Sequence, residues 1–153
     1  FVLGCSASFD DAMIDAGIPM QHLEQEGGRI PVYISNIPCQ PSGIFQGPMV
    51  ISMRPIRQDL VVKAVEVTSR YPIAHGAPVH IGDPAKVGIA DLAKPQWSVY
   101  TPLKDNEVPV YWACGVTPQS IAMAAGIPEM YTHAAGWMFI TDLRLNASSI
   151  ISG

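Results

Sequence analysis

The sequence predicts an α/β fold, a layered sandwich with a largely parallel sheet plus a small β-rich excursion. Short apolar runs rich in β-branched and aromatic residues alternate with runs of helical spacing, which is the order expected of strand–helix units. Several junctions combine a turn, a capping residue and a Pro, which together signal a helix N-terminus. The 153 residues, 48% of them hydrophobic, are enough for one domain with its own core.

The first strand–turn–helix unit opens the chain and is repeated near its end. A predicted strand at residues 1–4 leads into a helix that ends with Ala-Gly-Ile-Pro at residues 16–19. The same four residues end a second unit at residues 125–128, and the same offset places Cys5 on Cys114. We interpret this match as an internal duplication. The alternative is that two units share generic strand, cap and stop chemistry.

The elements between these units follow in order. Residues 20–47 contain a stretch rich in Gly and Pro and are predicted to form either a long excursion or a small β-rich subdomain. Residues 59–70 give the clearest helix, because their apolar residues fall on one stripe and Tyr71-Pro72 ends it. Shorter strands are predicted at residues 30–34, 49–53, 79–81, 97–100 and 137–141, and a polar tail begins at Leu145.

The charge pattern excludes some classes of partner. Nine Lys and Arg against thirteen Asp and Glu give a net charge of −4, without any basic cluster. This argues against nucleic acid or an anionic membrane as the main partner. No apolar run approaches the ~20 residues that span a bilayer. GxGxxG, P-loop and HExxH motifs are absent from the sequence, so neither a cofactor nor a metal is expected.

The cysteine count indicates a reducing compartment. Cys5, Cys39 and Cys114 are an odd number and lie far apart, so they form neither a disulfide framework nor a CxxC zinc site. We therefore expect the cytoplasm, or the mitochondrial matrix if the protein is eukaryotic. The chain begins at Phe1, within a predicted strand, so we expect that an N-terminal portion is missing.

Ligands of parallel sheets bind at the carboxyl ends of the strands, and three predicted turns have that location. They are Cys5–Ser8, His80–Asp83 and Cys114–Thr117. Cys5 and Cys114 would then face each other across a pseudo-twofold site, as two-base proton transfer requires. A helix N-terminus beside each thiol would lower its pKa and make it reactive. The alternative is that both are small buried residues.

Residues 75–84 hold two imidazoles and a carboxylate. His80 and Asp83 are expected at the mouth of the site, where they would act as general acid or base near neutral pH, and His75 is a further candidate. The alternative is that Asp83 only caps a helix and His80 is a hydrogen-bonded structural side chain. His22 is predicted to be a surface residue.

The start of the second-unit helix is a candidate anion site, because a helix start leaves backbone N–H groups unpaired. Thr117 is expected to be the N-cap and Pro118 the first helical residue. Arg54 could clamp a substrate carboxylate bidentately, and a surface ion pair is the alternative. His133 either closes the site or bonds to backbone. The other candidate ligands for a small carboxylic or amino acid are Cys5, Ser6, Ser8, Gly115, Val116 and Gln119.

For Ser6, Ser8 and Thr117, capping alone is the alternative role of the hydroxyl group.

A homo-oligomer is a possible assembly of the chain.

Several segments resemble one known family. They are residues 1–6, 36–39, 47–55, 75–84, 108–119, 132–133 and 139–142. Together they resemble the D-glutamate cyclase-like family, whose bacterial members are labelled hydro-lyases. The resemblance covers nearly the whole chain in order, although Trp137 stands where a His is common. Because family members are typically longer at the N-terminus, it implies that residues 1–153 are the C-terminal part of a family domain.

The resemblance implies a carbon–oxygen lyase acting on a small amino or hydroxy acid, and the family name implies cyclisation of D-glutamate to 5-oxo-D-proline with loss of water. That reaction needs a base, an oxyanion site and an acid. On this hypothesis His80 or Asp83 transfers the proton and the Thr117 helix start holds a carboxylate. The amides of Gly115 and Val116 stabilise the oxyanion. A two-thiol racemase or epimerase, and a non-catalytic small-acid binding domain, are the alternatives.

Overall fold

The computed structural model describes residues 1–25 and 28–142, and the predicted polar tail lies outside them. The strands are β1 (Val32–Pro38), β2 (Pro48–Arg57), β3 (His80–Ile81) and β4 (Glu107–Ala113). The α-helices are α1 (Asp10–Asp15), α2 (Val61–Ser69) and α3 (Thr117–Ala124). Short 3-10 turns lie at Ser6–Phe9, Gln21–Glu24, Gln58–Leu60, Pro72–Ala74 and Pro84–Val87. Within the described residues the strands form one sheet in the order β1-β2-β4-β3.

The predicted largely parallel sheet is wrong. The pairs β1–β2, β2–β4 and β3–β4 are all antiparallel. Apolar periodicity identifies a strand but does not say which strand it pairs with, and the alternation of strand and helix patterns had suggested parallel crossovers. Helix α2 follows β2 along the chain, as the first half of a parallel strand–helix–strand unit would require. The next strand, β3, does not lie beside β2, so no parallel strand–helix–strand unit forms there.

Strand β2 continues through Pro55, beyond the strand predicted at residues 49–53. Pro55 lies directly opposite Pro109 of β4. Since neither residue has an N–H group, the two must form a pair without hydrogen bonds between these strands. The Pro109 carbonyl points away from β2 and towards the β3 side of β4, where it accepts a hydrogen bond from the Gly82 N–H at 2.8 Å. The pairing therefore accommodates both prolines inside the sheet.

The sheet separates two hydrophobic clusters. On one face Phe9 packs with Ile56 and Trp112, and helices α1 and α2 contact each other there. On the other face Met53 packs with Tyr111. Alternation along β2 and β4 explains the division, because successive side chains of a strand point to opposite faces.

The local predictions had mixed outcomes. The helix predicted at residues 59–70 is confirmed as a 3-10 turn followed by α2. The strands predicted at residues 97–100 and 137–141 are wrong, and Trp97 instead makes an isolated bridge to Val32. Strand β1 belongs to the main sheet, where it pairs with β2.

Candidate active site

A cavity of about 290 Å³ opens where β4 ends and β2 begins. Its walls are largely apolar, and the ionisable side chains among them are two thiols and one imidazole. The lining residues are Leu3, Gly4, Cys39, Met49, Ile73, His75, Ala113, Cys114, Gly115, Thr117 and Pro118. A concave apolar site with a few polar groups is the usual form of a small-molecule pocket.

The direction of β3 decides which predicted residues reach this cavity. His80 on β3 lies opposite Tyr111 on β4, and the two strands are antiparallel. The chain before β3 therefore lies towards the end of β4, whereas the chain after β3 lies towards its start. Accordingly, His75 lines the cavity together with Cys114, and Asp83 does not.

His75 has a buried ring nitrogen without a partner. Its backbone is left-handed, with φ of 78°, at the end of the Pro72–Ala74 turn. The Nε2 atom has no hydrogen-bond partner among the described residues, and a Cβ built on Gly115 would lie 3.9 Å from it. Burial lowers the pKa of His75, and the positive charge of Arg54 lowers it further. In its Nδ1–H tautomer the neutral ring can accept a proton at Nε2.

Cys114 has a raised pKa, where the sequence predicted a lowered one. Burial is the main cause, and the hydrogen bond from the Val116 N–H acts in the opposite direction. The Cys5 thiol raises the pKa further, while Arg54 and the Gly115 N–H lower it. The helix start is thus outweighed by desolvation, and Cys114 is a protonated thiol at neutral pH. The backbones next to the two cysteines approach each other, since a Cβ on Gly115 would lie 3.3 Å from the Gly4 carbonyl oxygen.

Two glycines allow three segments to pack backbone against backbone at the cavity. A Cβ on Gly4 would lie 1.7 Å from the carbonyl oxygen of Ile73, so no side chain fits there. A Cβ on Gly115 would lie 3.3 Å from the carbonyl oxygen of Gly4. Residues 1–4, predicted as a strand, are not part of the sheet and instead contribute to this packing.

Thr117 connects α3 to β2 instead of capping the helix as predicted. Helix α3 begins at Thr117 itself, and Val116 occupies the N-cap position without a side-chain hydrogen bond. The Thr117 hydroxyl accepts from the Val50 N–H at 3.0 Å and donates to the Cys114 carbonyl oxygen at 2.8 Å. Its proton is therefore committed to the backbone, and the residue fixes the turn that carries Cys114.

Three other predicted ligands lie outside the cavity walls. The side-chain amide of Gln119 donates to the carbonyl oxygen of His133 at 3.2 Å. The structure thus brings these two residues together, away from the lining. Ser8 is exposed, and its backbone N–H donates to the Cys5 carbonyl oxygen at 2.9 Å.

His80 and Asp83 form a local structural pair. His80 Nε2 lies 2.9 Å from the Asp83 carbonyl oxygen, and the imidazole stacks on Tyr111 with 5.6 Å between ring centroids. Asp83 Oδ1 accepts from the Ala85 N–H at 3.0 Å and caps the Pro84–Val87 turn. These contacts agree with the alternative stated for the sequence, in which Asp83 is a cap and His80 is a hydrogen-bonded structural side chain.

Arg54 is buried rather than in a surface ion pair, and it does not line the cavity. Its Nε donates to Asp10 Oδ1 at 2.9 Å, and its guanidinium contacts the rings of both Phe9 and Trp112, 4.9 and 5.2 Å from their centroids. Asp10 Oδ2 accepts from His22 Nε2 at 3.0 Å. His22 is only 1% exposed, so its prediction as a surface residue is wrong.

Sequence reasoning missed Cys39 as a wall of the cavity. It follows β1, and its N–H donates to the Gly47 carbonyl oxygen at 2.9 Å. Cys39 and Cys114 both line the cavity, and Cys5 directly follows Gly4, which lines it as well. Their spacing along the chain gives no sign of this, because the segments meet only through the packing of the fold.

The part of the chain that the structure describes contains neither a cluster of metal ligands nor a membrane-spanning helix. Within residues 1–25 and 28–142, no group of three or more His, Cys, Asp or Glu side chains is arranged to hold a metal ion. No helix in these ranges is long and apolar enough to cross a membrane.

Comparison with known proteins identifies relatives that share one name, "Putative hydro-lyase". One from Stutzerimonas stutzeri (strain A1501) is 56% identical over 144 residues, which cover 94% of this chain and 54% of the relative. One from Thermoanaerobacter sp. (strain X514) is 57% identical with the same coverage. One from Bradyrhizobium diazoefficiens is 51% identical over 151 residues, or 99% of this chain and 55% of the relative.

Residues 1–142 match the D-glutamate cyclase family, and the chain belongs to it. The family resemblance inferred from the sequence is thereby confirmed. The chain spans about half the length of the curated relatives that it matches.

Proposed function

We propose that this chain carries part of the active site of a hydro-lyase that cyclises D-glutamate to 5-oxo-D-proline with release of water. Family membership and the names of the relatives support the reaction class. One observation carries the assignment of the site. His75, whose Nε2 is buried without a partner among the described residues, and Cys114, a protonated thiol, line the same cavity.

The two groups suit opposite halves of the reaction. Neutral His75 accepts a proton from the substrate ammonium, and the freed amine attacks the γ-carboxyl carbon to form the C–N bond. The C–O bond then breaks, and Cys114 supplies a proton to the leaving oxygen. The second proton of the nitrogen passes to the Cys114 thiolate, and His75 gives its proton to the same oxygen, which leaves as water, so both side chains return to their starting states. Two titratable groups whose pKa values are moved apart by burial form a common acid–base arrangement.

The backbone around Cys114 supports its role as an acid. The N–H groups of Val116 and Gly115 donate towards its sulfur and lower its pKa, although burial outweighs them. When Cys114 gives up its proton, the same donors stabilise the thiolate. The sequence hypothesis gave these amides to the substrate oxyanion, and the proposal now assigns them to the sulfur.

Turnover tests the proposal. The chain and the full-length Stutzerimonas relative are each incubated with D-glutamate, and 5-oxo-D-proline is followed by NMR; L-glutamate and glutarate serve as controls. We expect product from D-glutamate and none from glutarate, which lacks the amine. Turnover by the relative alone would assign the complete site to the longer protein. If neither protein forms 5-oxoproline, the proposed reaction is wrong.

The backbone contact between Gly4 and Gly115, the chain neighbours of Cys5 and Cys114, favours a second candidate, a two-thiol racemase or epimerase. Such an enzyme exchanges the α-hydrogen with solvent. In ²H₂O it would place deuterium at the α-carbon of glutamate, and Cys5→Ala and Cys114→Ala would each abolish the exchange. A substrate that stays free of deuterium would exclude this candidate.

A further inference from the structure

The cluster of Asp10, Arg54 and His22 lies outside the cavity but is connected to it. The Arg54 and Asp10 side chains are 1% and 7% exposed, and Arg54 Nη2 lies 2.8 Å from Asp10 Oδ1. His22 Nε2 bonds to the other carboxylate oxygen. Because a carboxylate only accepts, this imidazole nitrogen carries the proton of that bond.

The guanidinium reaches the turn that follows Cys5. Arg54 Nη2 donates to Ser6 Oγ at 3.4 Å, and Arg54 Nη1 donates to Ser52 Oγ at the same distance. The two hydroxyl groups lie 3.2 Å from each other. Arg54 therefore joins the Cys5–Ser6 backbone to the middle of β2.

The Ser6–Phe9 turn also contacts the segment that carries His75. The Ser6–Phe9 and Pro72–Ala74 turns contact each other, and His75 follows the second of them directly. Ser52 Oγ also donates to the Trp112 carbonyl oxygen at 3.5 Å, two residues before Cys114. One buried arginine is thus connected to all three segments that meet at the cavity.

Stability alone does not explain this arrangement. Desolvating two charges is expensive, and well-packed apolar residues of similar size often stabilise a protein as well as a buried ion pair does. The rings of Phe9 and Trp112, which both contact the Arg54 guanidinium, would also pack against a methionine. What an apolar residue cannot reproduce is the fork of hydrogen bonds to Ser6, Ser52 and Asp10.

We propose, building on the function proposed above, that Arg54 and Asp10 are positioning residues that hold the Cys5–Ser6 turn on β2 and thereby set His75 against Cys114. Arg54 acts through the residues it holds and does not touch the substrate. Asp10 fixes the orientation of the guanidinium and balances its charge.

The variants are Arg54→Met, Arg54→Lys and Asp10→Asn, and Arg57→Met is the matched control. Arg57 lies on the same strand and also forms an ion pair with an Asp, but its side chain is 47% exposed. For Arg54→Met we expect kcat to fall about 10- to 100-fold while KM changes by less than about threefold, since a positioning group acts through the geometry of others. Arg54→Lys, which can still pair with Asp10, restores part of kcat.

A second readout does not depend on turnover. Iodoacetamide labelling of Cys5 and Cys114, resolved by mass spectrometry, reports how the two thiols are held. We expect the labelling rates to rise several-fold in Arg54→Met and to stay unchanged in Arg57→Met, measured where each variant is folded. If Arg54→Met does not fold, Ser6→Ala removes the link to the turn while leaving the ion pair in place, and it is expected to show the same changes.

The outcomes separate the two proposals. No turnover of D-glutamate by the unaltered protein, together with faster labelling in Arg54→Met, would overturn the proposed reaction and support the positioning role. Unchanged labelling in both Arg54→Met and Ser6→Ala, with kcat falling only in proportion to the folded fraction, would overturn the positioning role.

Discussion

His75 combines a strained backbone with a buried nitrogen that has no partner in the described part of the chain. A non-Gly residue at φ of 78° is uncommon, and such residues concentrate at functional sites. Leaving a buried polar atom unpaired is also unfavourable. His22 Nδ1 and Tyr111 Oη are also buried without a partner among the described residues, so the inference to a role in the site rests on the combination with the left-handed backbone and the place of His75 in the cavity wall.

The stability of the protein should depend on pH through His75. Its folded pKa is lowered from 6.5, so between the folded pKa and 6.5 the unfolded chain binds more protons than the folded chain. The contribution to the free energy of unfolding is present above pH 6.5 and is lost as the pH falls towards the folded pKa. We expect His75→Asn, which tolerates the left-handed backbone, to lose less stability than the unaltered protein between about pH 7.5 and about pH 5.5 in urea unfolding. Equal losses would contradict the buried neutral imidazole.

Gly4 should be intolerant of any side chain. Because its Cβ would lie 1.7 Å from the Ile73 carbonyl oxygen, Gly4→Ala must move backbone, and we expect it to lower the free energy of unfolding by at least about 2 kcal/mol. Gly47→Ala is the control, since its Cβ would meet the Ile121 side chain at 3.2 Å, which can adjust. Urea denaturation compares the two. A smaller loss for Gly4→Ala than for Gly47→Ala would contradict the close approach.

At the scale of elements, one buried hydroxyl joins α2 to β4. Thr68 Oγ1 accepts from Trp112 Nε1 at 3.2 Å and donates to the Ala64 carbonyl oxygen at 2.9 Å. Trp112 is fully buried in the cluster that covers this face of the sheet. The indole N–H therefore depends on Thr68 for its partner.

Thr68→Val should destabilise the protein by about 1–3 kcal/mol, because it leaves the indole N–H of Trp112 buried without an acceptor. Thr68→Ser retains the hydroxyl and is expected to lose less. Ser69→Ala, on the exposed side of α2, should change the free energy of unfolding by no more than about 0.5 kcal/mol. Thermal unfolding of the three variants ranks their losses of stability. Equal losses in Thr68→Val and Thr68→Ser would argue against the hydrogen bond.

The sequence predicted those elements that have a strong local signal. Helix α2 was identified because its apolar stripe is a local signal. The extension of β2 past Pro55 was missed, because it depends on Pro109 lying opposite, more than fifty residues further along the chain. The turn at Asp83 was identified because its cap and proline are adjacent in the sequence.

At the scale of the whole molecule, what the sequence could not show is which segments meet. Strands β2 and β4 pair across a long separation, and the buried contacts among Asp10, His22 and Arg54 connect three distant segments. The parallel sheet expected from the strand–helix order would have placed the turns after β3 and β4 at one edge. The antiparallel sheet separates them, so that His75 lines the cavity and Asp83 does not.

The central claim is that proton transfer takes place at the end of β4 through His75, and not at the turn after β3 through His80. The most direct test measures kcat for D-glutamate in His75→Asn and His80→Asn, with folding of each variant checked by circular dichroism. We expect kcat to fall about 100-fold or more in His75→Asn and to stay within about twofold in His80→Asn. The reverse order would contradict this account and return the site to His80 and Asp83.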